Sequence, residues 1–80
     1  MSMSNLFLSN ADIGKVFIIV DVHCGCKAKL RLSNLGVLKN TEAKLVSKAP
    51  IKGPIIINIR GTSLVIGRGL SEKIEIKYIN

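Results

Sequence analysis

His23, Cys24 and Cys26 put one imidazole and two thiols within four residues, a group suited by its donor types to zinc or another soft transition metal. A structural zinc site takes four such ligands, usually as two well-separated pairs. The second pair is missing here, so a complete site would need ligands from another protomer or an adventitious ligand. The three therefore read as small loop residues, with a transition metal left open and no other cofactor expected. Cysteines one residue apart cannot staple a fold, because the loop they close is trivial and strained. Reduced thiols suit a cytosolic chain.

Other chemistry finds less support. The single histidine has no serine or carboxylate at a spacing that would make it a catalytic base. Glu72 and Glu75 flank a short turn and read as solvated surface rather than an acid–base pair. Gly67 and Gly69 lack the rest of a dinucleotide fingerprint or phosphate loop, so they are turn residues. Arg31, Arg60 and Arg68 are the arginines that could stabilise a phosphoryl-transfer transition state on a partner. Of these, Arg31 reads better as an anchor for a helix end. No catalytic residue is assigned, and the chain is not expected to be an enzyme.

The elements that would position these residues are short. Leu6 to Ala11 suggests a lead-in with one helical turn, and Asp12 to Lys15 a turn with Gly14 at positive φ. Val16 to Val22 is β-rich, with Val16, Ile18, Val20 and Val22 on one face and Phe17, Ile19 and Asp21 on the other. Both faces are largely apolar, as expected of a strand covered on two sides. Lys27 to Leu35 is the one helix candidate: Ala28, Leu32 and Leu35 share a face, and Gly36 supplies a left-handed cap. Asn40 suits a second positive φ. Alternating stretches then predict strands near Ala43–Val46, Ile55–Arg60, Ser63–Ile66 and Ile74–Tyr78. Ala49–Pro54 and Gly61–Thr62 form the turns, and Leu70–Lys73 a short helical turn. The expected core is Val16, Ile18, Val20, Leu32, Leu35, Leu45, Ile57, Leu64 and Ile76. The closing strand should pair with the first and remove the sheet's edges.

This pattern describes a mainly β fold: a small SH3-like barrel of about five strands, with one inserted helix and a short N-terminal helical turn. Eighty residues make a single domain over 1–80, with residues 1–5 expected to be disordered. The net charge of +7 reads either as a soluble, self-repelling surface or as attraction to an acidic partner, an anionic membrane face or nucleic acid, and the lysines are scattered. Three aromatics, Phe7, Phe17 and Tyr78, are too few and too dispersed for a base-stacking platform. The longest apolar stretch, Val16–Val20, is too short to cross a membrane, and no secretory signal is visible.

The order of these features resembles the ferrous iron transport protein A (FeoA) family. Leu8, Ser9 and Gly14 match its lead-in, and Arg31, Leu32, Leu35 and Gly36 its helix end. Ala49, Pro50, Gly53 and Pro54 match its hairpin tip, and Ile55 to Arg60, Gly61 and Leu64 the strands that follow. Lys39-Asn40 stands where the family has Pro-Gly, Ala11 where a larger aliphatic residue is usual, and Cys24-Gly25-Cys26 has no counterpart. The resemblance implies a cytoplasmic accessory protein of bacterial ferrous iron uptake. It would dock on the membrane transporter with a GTPase domain, FeoB, with no catalytic set of its own. Val37, Leu38, Ile51, Lys52 and Gly53 are the expected partner-binding residues, as apolar or projecting positions after the helix and at the hairpin tip. Two other readings compete. One is a basic SH3-like barrel binding RNA or another acidic partner. The other is a stand-alone relative of the C-terminal domain of iron-dependent repressors.

Overall fold

The computed structural model describes residues 6–79. The expectation for residues 1–5 lies outside that range. One antiparallel sheet carries β1 (Leu6–Phe7), β2 (Val16–Val22), β3 (Glu42–Lys48), β4 (Ile55–Ile59), β5 (Thr62–Ile66) and β6 (Ile74–Tyr78). Its strand order is β1-β6-β2-β3-β4-β5. A 3-10 turn (Leu8–Asn10) follows β1, helix α1 (Cys26–Asn34) joins β2 to β3, and a four-residue helix α2 (Arg68–Ser71) joins β5 to β6.

The sheet wraps an aliphatic core around one aromatic ring. Phe17, Ile19, Leu45, Ile55, Ile57 and Ile74 are fully buried, with Leu8 and Ala11 closing one end. Burying side chains of this size stabilises the fold by roughly 2 kcal/mol each before entropy is counted.

Two core expectations need correction at β2 and at the helix end. Phe17 and Ile19 point inward, whereas Val16 and Ile18 are only half-buried and Val20 is exposed. The register against β6 slips between Ile19 and Asp21, so Val20 is an extra residue and Val22 returns to the core. A bulge therefore mixes the two faces that strict alternation separates. The outer face of β2 is left partly open rather than covered.

Leu35 is exposed, and Val37 takes the core place expected of it. Gly36, at φ +98°, turns the chain, its N–H donating to the Ser33 carbonyl while that of Val37 donates to the Leu32 carbonyl. These two bonds are a Schellman closure, which folds the second residue past the cap under the helix. Val37 thus meets Leu32 in the core, and Leu35 faces water.

Both tight turns use the left-handed region. Arg60 and Gly61, at φ 54° and 81°, make the two-residue β4–β5 hairpin loop. Ile51 and Lys52, at 55° and 58°, make the β3–β4 tip. β6 pairs with β2 as expected of the closing strand, and also with β1. The edges nevertheless remain: among the described residues no strand pairs the outer side of β5.

Candidate docking surfaces

The loop with the potential ligands disperses them. His23 Nε2 lies 2.8 Å from Glu75 Oε1 on β6, with its ring 6.0 Å from that of Phe7. Cys24 is half-buried against the core, while Cys26 opens α1 and is exposed. Among the described residues no three His, Cys, Asp or Glu side chains come together as a metal site.

An open apolar groove of about 610 Å³ runs between α1 and the chain that follows it. Val22, Val37 and Leu38 line it with Cys26, Leu30 and Ser33 from α1. Lys29 and Lys39 stand at the rim, and both reach toward Asp21 Oδ1, at 3.9 and 3.7 Å. The Asp21 carboxylate accepts the Val22 N–H at 2.8 Å. That bond, opposed by desolvation and assisted by Lys39, His23 and Lys29, holds its pKa below the ordinary carboxylate value. Sequence reasoning placed Val37 and Leu38 here but missed Leu30. Its signal was an apolar residue set among Lys27, Lys29 and Arg31, off the buried stripe of the helix. Val37 itself is only 2% exposed, so it forms the floor of the groove and Leu38 its accessible wall.

The hairpin tip is the second surface, and none of its residues lines the groove. Ile51 is 96% exposed. A β-branched side chain at φ 55° is strained, because its Cβ crowds the following carbonyl. The strain is held from below: Arg68 donates from Nε to the Gly53 carbonyl at 3.0 Å and from Nη2 to the Ala49 carbonyl at 2.7 Å. Gly53 is required by space, since a Cβ there would sit 2.6 Å from the Ala49 Cβ. Arg68 is thus committed to the tip, while Arg31 and Arg60 are exposed.

The comparisons with known proteins decide the lineage. The family model described as the FeoA domain matches residues 7–78. The chain belongs to the FeoA domain family. It is 33% identical over 70 residues to a candidate Fe(2+) transport protein A of Methanocaldococcus jannaschii, covering 88% of this chain and 83% of that one. A crystal structure of an iron uptake regulatory protein (FeoA) superposes with a TM-score of 0.86 at 26% identity, over 95% of this chain and all of that one. A FeoA protein from Chlorobium tepidum gives 0.87 at 25% identity, over 94% and 71% of the two chains. The repressor ScaR shares the fold alone, with a TM-score of 0.83 at 15% identity over 92% of this chain and 37% of that one. The fold is thus the SH3-like barrel of FeoA and of repressor C-terminal domains.

Proposed function

We propose that this chain is a cytoplasmic accessory protein of ferrous iron uptake, without enzymatic activity, that docks on the membrane GTPase transporter FeoB. Family membership supplies the context of iron transport. The observation that carries docking is Ile51, a fully presented apolar side chain held in a strained backbone by Arg68. Strain kept at an exposed position costs stability and is retained where a contact uses it. Lys52 beside it adds charge for an acidic partner surface, and Gly53 allows the tight turn beneath. The groove walled by Leu30 and Leu38 offers a second contact area with two lysines at its rim. Ferrous iron in this reading is the transporter's cargo.

RNA binding is the weaker reading. Phe17 is buried, Phe7 and Tyr78 are half-buried, and the Tyr78 hydroxyl accepts the Asp12 N–H at 2.9 Å. No phenylalanine or tyrosine ring stands fully exposed as a platform for bases. The test is titration of purified protein onto the cytoplasmic region of the transporter at physiological salt, with GTP turnover followed in the same sample. Saturable binding supports docking, and a changed turnover adds regulation. Absent binding, with salt-sensitive binding to RNA instead, returns the RNA reading.

A further inference from the structure

The outer edge of β5 is undefended. Natural edge strands are usually blunted by a lysine, a proline, a bulge or a covering element. Thr62-Ser63-Leu64-Val65-Ile66 has no charge and no proline, and it pairs with β4 in unbroken register. Its backbone polarity follows from the hairpin. The Arg60-Gly61 loop has two residues, so Ile59 and Thr62 exchange both of their hydrogen bonds, and bonding then alternates along the ladder. Thr62, Leu64 and Ile66 therefore spend their backbone groups on β4. Ser63 and Val65 turn theirs outward, and among the described residues no backbone or side-chain group takes them up. Both residues are exposed, Val65 to 69%.

Charge names the kind of strand that fits. From Ala43 to Ser71 the chain has Lys44, Lys48, Lys52, Arg60 and Arg68 and not one Asp or Glu. The free edge lies within this acid-free stretch, with the exposed Arg60 at its hairpin end. A second copy would bring +7 against +7. An acidic segment meets a complementary field instead.

We infer that β5 accepts an extended, acidic-flanked segment of a partner protein as an added strand, hydrogen-bonded through Ser63 and Val65. Main-chain bonds supply the affinity, and exposed Arg60 at the hairpin end, with no carboxylate nearby in sequence, favours an acidic flank. The inference rests on the docking reading in so far as the segment belongs to the transporter, and it gives that contact a defined geometry.

The test titrates the full chain with a synthetic peptide of alternating valine and threonine flanked by glutamates, while amide hydrogen exchange is followed residue by residue. The Ser63 and Val65 amides should become protected, whereas those of Thr62, Leu64 and Ile66 are protected already. A peptide N-methylated at every residue between its flanks, so that neither edge can donate, or one flanked by lysines, should bind on the order of tenfold more weakly. Val65→Pro removes an outward N–H without touching the β4 ladder and should abolish binding. The N-methylated peptide makes the same test should that variant not fold. Peptide binding without protection at Ser63 and Val65, or equal affinity for both flanks, overturns the inference. Protection of the two amides that grows with protein concentration alone overturns it in favour of self-pairing. The transporter region run in parallel separates the two claims. Transporter binding with β5 unprotected sinks the strand and leaves docking standing. Peptide binding without transporter binding does the reverse.

Discussion

Arg68 grips the β3–β4 hairpin tip from below, its guanidinium shared between the Ala49 and Gly53 carbonyls at 2.7 and 3.0 Å. One side chain from α2 thereby spans the mouth of the turn that presents Ile51. Replacing it uncouples the tip from the body of the protein. Arg68→Ala should cost about 2 kcal/mol, as expected for charge-assisted bonds at a partly buried site. Hydrogen exchange at Gly53, whose N–H donates to the Pro50 carbonyl, should accelerate more than in β2 or β6. Arg68→Lys should recover less than half of the loss, since a lysine cannot span both carbonyls with a fixed fork. Chemical denaturation and exchange measured on the same samples check both.

The tip should also be limited by space. Gly53→Ala places its Cβ against that of Ala49 at 2.6 Å, a clash expected to cost about 1–3 kcal/mol. Adding Ala49→Gly removes the opposing atom and should return most of that loss. Two independent, additive penalties would show that the cost has another origin.

Ile51 should trade stability for contact. With its side chain 96% exposed and its φ at 55°, the position gains no burial and carries left-handed strain. Ile51→Asn keeps the turn with a residue that tolerates it, and should stabilise the isolated protein by about 1 kcal/mol. A destabilised variant, read from the denaturation midpoint, would mean that the side chain supports the fold.

Asp21 gives the fold an acid limb. Its folded pKa is depressed below 3.8, so its contribution is complete above that value and is lost as pH falls through the lower folded value. Asp21→Asn should flatten the decline of stability below about pH 4 and change little of its pH dependence near neutrality. An unaltered acid limb would place its source elsewhere.

Much of this architecture could be read from the chain, and the failures have local causes. Alternation located the strands, and glycine placement located the turns at Gly14, Gly36 and Gly61. Alternation failed inside β2, where the extra residue at Val20 exchanges the faces, and Val46 in β3 sits at a second such slip. A bulge depends on what the neighbouring strand demands, so a single strand does not display it. The swap of Leu35 for Val37 was different. Gly36 was recognised as a cap, but the residue two past the helix, not the last on its stripe, is the one folded under. Of the expected contact residues, Leu38, Ile51 and Lys52 are exposed, Gly53 is half-buried, and Val37 is interior. The undefended edge of β5 needed the strand order, which no pattern within the strand contains.

Calorimetric titration of the cytoplasmic region of FeoB would show whether the hairpin tip docks on the transporter. Wild type and Ile51→Asn would be compared at physiological salt. The wild type should bind saturably, and Ile51→Asn should bind on the order of tenfold more weakly despite equal or greater stability. Equal affinity of the two proteins would contradict the role of the tip, and absence of saturable binding by the wild type would contradict docking itself.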